Sequence, residues 1–219
     1  MINKELINRV LSSLALIPIA LFFIIKGGIL YIFFISICFL IASYEWHKLS
    51  KKKLYYFPGF LFLILSFYST YALRMDAVNG LEYFLIILLI CVSTDLGGYI
   101  FGKILKGPRL TKISPKKTYS GVVGGYLLSI IFFYLFFNST YYSYTSEITP
   151  YFFIFILLTS TVSQLGDITI SYFKRLSKIK DTGKIIPGHG GLLDRIDGII
   201  FAFPTSYLIV LVDYFNFFL

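Results

Sequence analysis

The chain breaks into apolar runs of near-bilayer length, at roughly residues 10–25, 29–44, 55–73, 81–100, 119–138, 151–172 and 199–218. A helix needs about 20 residues to cross the hydrocarbon of a membrane, so the runs predict seven helical spans, the first two of them short. Charged residues make up only 14% of the chain and hydrophobic residues 57%, whereas a soluble domain is about a quarter charged. The expected fold is an all-α, polytopic membrane bundle of about seven transmembrane helices. Little chain remains for a soluble domain.

The first run follows Lys4 and Arg9 and has the build of a secretory signal. No small-x-small cleavage site precedes Lys26-Gly27-Gly28, which predicts a retained anchor. Cys38 and Cys91 stand singly in apolar runs with no Cys or His at ligand spacing, which excludes a disulfide framework and a zinc site. With the N-terminus inside, every Lys and Arg falls on inner segments except Lys26 and Arg74. That asymmetry predicts a cytoplasmic N-terminus and an outer C-terminus. The net charge of +9 therefore gathers on one membrane face, where the basic cluster 48–53 is explained by topology and anionic headgroups.

Two other basic segments each lie beside an acid within a span. In Ser93-Thr-Asp95-Leu-Gly-Gly-Tyr99-Ile-Phe-Gly102, helical spacing sets Asp95, Tyr99 and Gly102 on one face. Gly98 and Gly102 predict close helix packing, while a buried Asp95 would require a cation beside it. The Gly98 to Lys103 stretch is no phosphate loop, because Ile104 stands where Ser or Thr is needed and no strand precedes it. Ser114-Pro-Lys116-Lys117-Thr118 breaks the helix and offers two ammonium and two hydroxyl groups to a polyphosphate.

The second acid, Asp167, belongs to a stripe of Ser160, Gln164, Asp167, Ser171 and Lys174 at three- and four-residue steps. The stripe runs out into a basic segment that holds Lys174 and Arg175. There Pro187-Gly-His189-Gly190-Gly191 predicts a turn whose glycine amides form an anion-binding concavity. Asp194 and Asp197 follow one turn apart. Carboxylates at three places on the inner side point to hard cations, with phosphate oxygens completing their coordination.

Ser171-Tyr-Phe-Lys174-Arg175, Lys180-Asp181, Gly183, Ile186-Pro187 and His189-Gly-Gly-Leu-Leu-Asp194-Arg195-Ile-Asp197 together closely resemble the signature of the phosphatidate cytidylyltransferases, with no departure across residues 171–197. The resemblance extends to Asp95-Leu-Gly-Gly-Tyr99, Ser114-Pro-Lys-Lys-Thr118 and Gln164-Leu-Gly-Asp167, covering roughly the C-terminal 125 residues. Two departures stand out. The family usually carries Glu-Gly where Ser120-Gly121 stand here, so position 120 is left out of the site. Its members also commonly have eight or nine spans, which makes this chain shorter toward the N-terminus.

The resemblance implies transfer of the cytidylyl group of CTP to phosphatidate, giving CDP-diacylglycerol and pyrophosphate. Residues 1–80 would then be N-terminal transmembrane helices and 81–219 the catalytic region of a single membrane domain. It implies Mg²⁺ held by Asp167 and Asp194, with Asp95, Asp181 and Asp197 as further ligands or orienters. Lys174, Arg175 and Arg195 would neutralise charge together with Lys116 and Lys117, and His189, Gly190 and Gly191 would contact phosphate. Ser114, Thr118, Ser171 and Lys180 complete the substrate-binding set. It leaves room for a second, monovalent cation and for a homodimer. The expected partners are CTP, phosphatidate and membrane lipid, with no nucleic acid, in a bacterial-type inner membrane with the active site on the cytoplasmic side.

Three rivals are weighed against this reading. Asp194-Arg-Ile-Asp197-Gly198 opens like the motif of CDP-alcohol phosphotransferases, but Phe201 and Ala202 follow and only Asp213 remains of the later acids. A CTP-dependent lipid or polyprenol kinase would release CDP rather than pyrophosphate. A cation-coupled transporter would need acids across both leaflets, whereas these cluster on one side.

Overall fold

The computed structural model describes residues 4–76, 79–111, 113–141, 150–188 and 190–216. Its helices in chain order are α1 (Lys4–Lys26), α2 (Gly28–Ser50), α3 (Tyr56–Met75), α4 (Gly80–Ile104), α5 (Tyr119–Tyr141), α6 (Pro150–Leu176), the single turn α7 (Leu193–Ile196) and α8 (Ile199–Asn216). Every apolar run becomes a helix. Among the described residues no strand forms, and only two isolated bridges pair Arg109 with Thr118 and Ile186 with Gly190.

Five helices are long and apolar enough to cross a membrane: Gly28–Ser50, Tyr56–Met75, Gly80–Ile104, Tyr119–Asn138 and Pro150–Leu176. Two shorter apolar stretches, Leu11–Lys26 and Ile199–Leu211, lie nearer the ends of the chain. The protein is thus an all-α, polytopic membrane protein. Large apolar side chains such as Ile29, Leu61 and Leu165 stay exposed along the helices, as lipid-facing surface does. The second run, which looked short, continues as helix for 23 residues to Ser50.

The chain forms two compact units, one of Met1–Leu81 with Tyr172–Asp197 and one of Glu82–Ser171 with Gly198–Leu219. In the first, α2 packs on both α1 and α3. Tyr31 is fully buried and its hydroxyl donates to the Thr70 carbonyl at 3.0 Å. Arg74 donates to the carbonyls of Ile24 and Ile25 at 2.7 and 3.1 Å, satisfying backbone acceptors left open at the end of α1. The last turn of α6 and the residue after it are anchored to α2 and to Tyr55, just before α3. Trp46 meets Phe173 edge-on at 5.3 Å, and Ser177 Oγ donates to the Leu49 carbonyl at 2.6 Å and lies 3.2 Å from the Tyr55 hydroxyl.

In the second unit Ile86, Ile90, Phe133, Phe137 and Ile156 form an apolar cluster from α4, α5 and α6. Toward the other end of α4 the packing is set by missing side chains. A Cβ on Gly97 would strike the Gly124 carbonyl, and one on Gly121 would come 2.8 Å from the Gly98 oxygen, so α4 and α5 approach backbone to backbone. The close packing expected of Gly98 and Gly102 falls chiefly on Gly97 instead: a Cβ on Gly98 would find its nearest atom at 3.8 Å, and one on Gly102 would come 3.1 Å from the Thr118 hydroxyl. Hydroxyls tie the other helices: Thr94 donates to Ser160 at 2.8 Å, and Thr159 and Ser206 lie 3.1 Å apart. Such bonds contribute about 1 kcal/mol each and, in lipid, remove the larger cost of an unpaired hydroxyl.

Candidate active site

In the second unit the basic loop between α4 and α5 closes on itself. Leu110 N–H donates to the Lys117 carbonyl at 2.8 Å, Lys117 N–H to Ser114 at 3.0 Å and Tyr119 N–H to Pro108 at 3.2 Å. Thr118 caps α5, its hydroxyl accepting the Gly121 N–H at 3.1 Å. Ser120, which stands where the resemblance leads one to expect an acid, donates to the Lys106 carbonyl and so ties the first turn of α5 to the loop just past α4.

This closure separates the two lysines. Lys116 is exposed. Lys117 turns onto α6, where its Nζ lies 2.6 Å from Asp167 Oδ2 and donates to the Gln164 carbonyl at 3.1 Å. Ser171 Oγ donates to Asp167 Oδ1 at a longer 3.3 Å. The ion pair is only partly buried, with side-chain exposures of 22% for Lys117 and 29% for Asp167. Ser160 is fully buried among Thr94 and Gln164. The polar stripe therefore packs helices along its upper half and opens at Asp167.

In the first unit the loop after α6 wraps around Asp194. Ile186 and Gly190 pair through two backbone hydrogen bonds, and Gly188 and Gly190 take positive φ of 76° and 90°, as a turn this tight demands. Ser12 of α1 holds the Pro187 carbonyl at 3.1 Å. Asp194 Oδ1 accepts from Lys174 Nζ at 2.8 Å. Asp194 Oδ2 accepts from Thr182 N–H at 2.8 Å and Gly191 N–H at 3.0 Å, with Thr182 Oγ1 at 3.1 Å. Burial pushes the Asp194 carboxyl up, but the Lys174 bond, the Gly191 and Thr182 amides and the Lys174 charge outweigh it and hold it below the usual carboxylate range.

The concavity expected for phosphate at the glycine turn is filled by the chain's own acids. Gly191 N–H goes to Asp194, while Leu192 and Leu193 donate to Glu45 of α2 at 2.9 and 2.8 Å. Sequence reasoning passed over Glu45. Its signal was the one that singled out Asp95 and Asp167, an acid at the end of an apolar run.

The remaining predicted residues fall as follows. Asp181 is exposed, with its Cβ and Cγ beside Gly190. Arg175, Lys180 and Arg195 are exposed, Ser114 and Asp197 are half-buried, and His189 lies outside the described residues. Asp95, for which burial would have required a cation alongside, is exposed. At about 100° per residue it points some 200° away from Gly97, whose contact with Gly124 fixes the rotation of α4.

Among the described residues no three His, Cys, Asp or Glu side chains converge as a metal cage. The donors fit the other mode of Mg²⁺ binding, in which one or two carboxylates hold the ion and substrate phosphates and water complete an octahedron. Asp167 fits best, since each of its oxygens meets a single donor and the group is partly open. Asp194 offers only Oδ1, because Oδ2 already serves Thr182 and Gly191.

The cytidylyltransferase family model matches residues 54–213. The chain is 36% identical to the phosphatidate cytidylyltransferase of Rickettsia bellii over 218 residues, covering 94% of this chain and 91% of that protein. It is 34% identical to the phosphatidate cytidylyltransferase of Rickettsia felis over 217 residues, covering 94% and 93%. With the phosphatidate cytidylyltransferase of Staphylococcus haemolyticus it shares 34% identity over 194 residues, 81% of this chain and 68% of the relative.

Proposed function

The chain belongs to the cytidylyltransferase family, and from that premise we propose that it transfers the cytidylyl group of CTP to phosphatidate, releasing pyrophosphate and leaving CDP-diacylglycerol. A phosphate oxygen of phosphatidate attacks the α-phosphorus of CTP in line. The bond from that phosphorus to the bridging oxygen of pyrophosphate breaks. A phosphate monoester has a second pKa of about 6 and is mostly dianionic at neutral pH, so the nucleophile needs no general base. The site must instead position the reactants and offset their negative charge.

The residues suit that work. Lys117 and Asp167 form a partly exposed pair, and ion pairs open to solvent contribute only about 0–1 kcal/mol. Lys117 can therefore exchange Asp167 for a triphosphate oxygen at little cost, which frees the carboxylate. Asp167 would hold Mg²⁺, which when bound offsets phosphate charge and stabilises the leaving oxygen; within its own unit, Asp194 leaves Oδ1 as its one donor beyond the loop. Lys174 is held by Asp194, while the exposed Lys116, Arg175, Lys180 and Arg195 supply further positive charge to the nucleotide and the lipid headgroup.

The proposal extends to orientation. The near-exclusive placement of Lys and Arg on alternate connecting segments supports an integral protein of the bacterial cell membrane with both basic loops on the cytoplasmic side, where CTP is found.

The observation that carries this reading is the family match across 54–213, a stretch that contains both acid and lysine pairs. Purified protein given cytosine-labelled CTP and phosphatidate vesicles should produce label in the lipid phase and pyrophosphate in equal amounts. CDP in the aqueous phase with an unlabelled lipid would identify a CTP-dependent kinase instead.

A further inference from the structure

Glu45 is the least expected acid in the chain. It sits near the end of α2, is 1% exposed, and among the described residues makes no salt bridge. Three donors satisfy it instead. Leu192 N–H reaches Oε1 at 2.9 Å, and Leu193 N–H and Thr182 Oγ1 reach Oε2 at 2.8 and 2.9 Å. A buried carboxylate without such donors would be strongly destabilising, so the contact is specific to this loop conformation.

The same contacts lead directly to Asp194. Gly191, Leu192 and Leu193 present three successive amides, of which Asp194 takes the first and Glu45 the next two. Thr182 serves both acids: its amide donates to Asp194 at 2.8 Å, and its hydroxyl lies 2.9 Å from Glu45 and 3.1 Å from Asp194. One hydroxyl hydrogen therefore sits between two carboxylates. The space is closed as well. A Cβ on Gly183 would come 2.6 Å from Glu45 Oε1, and one on Gly191 would come 2.6 Å from both Glu45 oxygens. These glycines admit the Glu45 side chain.

We infer that Glu45 is a positioning residue of the reaction, fixing through Thr182 and the 191–193 amides the orientation in which Asp194 presents Oδ1 and holds Lys174. The inference rests on the proposed role of the Asp194 and Lys174 pair. It assigns a task to a residue that lies outside the matched stretch 54–213. Misplacement of a reacting group by about 1 Å can cost a hundredfold in rate, so a residue that touches no substrate can still govern turnover.

The test uses the full chain purified in detergent and carries two readouts. Glu45→Gln keeps the side chain's size but turns an NH₂ group toward a backbone N–H. Thr182→Val removes the shared hydroxyl with little change in volume, and Thr182→Ser retains it. Hydrogen exchange in Glu45→Gln should quicken within residues 182–194 and stay unchanged in the spans. In the same protein KM for CTP should rise about tenfold, a change that a smaller folded fraction cannot produce because it lowers kcat alone. Thr182→Val should follow Glu45→Gln and Thr182→Ser the unaltered chain, so the inference is tested even if one variant fails to fold. Unchanged exchange in the loop, exchange rising throughout the helices, or unaltered KM would overturn the inference. Failure of the unaltered chain to make CDP-diacylglycerol would overturn the reading of the reaction and this inference together, and is distinguished by being visible before any substitution.

Discussion

At the scale of single residues, the two acids that pair with lysine differ in how much of their hydrogen-bonding capacity is used. Asp167 meets Lys117 and, at 3.3 Å, Ser171, so Asp167→Asn should leave a folded protein whose turnover falls by roughly a hundredfold. Near-normal turnover at ordinary Mg²⁺ would remove Asp167 from the site. Lys117→Gln should raise KM for CTP, with the difference from the unaltered chain shrinking as salt is added; a salt-independent difference would assign Lys117 to packing. Asp194 is the more committed acid, and its carboxyl is held below the ordinary range. A depressed native pKa means that its contribution to stability is fully present above the unfolded value of about 3.9 and is lost as the pH falls through the lower native value. The loop at 177–192 should therefore keep its protection from protease at about pH 5 and lose it only in stronger acid. Loosening already near pH 5 would contradict the Asp194 contacts.

At the scale of elements, the helices follow closely from the apolar runs, because a long uncharged stretch in a membrane has no other way to satisfy its backbone. Where the reading stopped short, a polar residue had a partner far along the chain. The second run ended at residue 44 by hydropathy, yet α2 continues through Glu45 to Ser50. The donors to Glu45 come from residues 137 to 148 positions away, a pairing that local sequence does not reveal. Asp95 shows the reverse. Its helix and its neighbours were readable, but the rotation of α4 depends on Gly97 meeting Gly124. The glycine contacts make a paired prediction. Gly97→Ala drives a methyl group into the Gly124 carbonyl and should cost about 1–3 kcal/mol, seen as a lower melting midpoint in detergent. Gly98→Ala meets its nearest atom, the Gly121 oxygen, at 3.8 Å and should melt close to the unaltered protein. Equal effects would mean that α4 and α5 do not approach through Gly97.

At the scale of the whole molecule, the charge pattern and the chemistry share one requirement, that the basic loops face the compartment holding CTP. Single cysteines placed in 103–111 and 178–188, in a chain with Cys38 and Cys91 replaced, should react with an impermeant maleimide only from the cytoplasmic side. Reaction near Lys184 from the outside would overturn both the orientation and the proposed site. The residues proposed to carry chemistry were readable in large part because their spacing follows a family signature, whereas Glu45, whose carboxylate binds the signature loop, emerged only from the folded chain. The central claim is that phosphatidate becomes bonded to the α-phosphorus of CTP. It is tested most directly by supplying the purified protein with phosphatidate and CTP labelled in separate experiments at the α- and the γ-phosphorus. Label from the α position should enter the lipid while label from the γ position leaves entirely as pyrophosphate. Transfer of γ label to lipid, or no lipid label from either position, would contradict the account.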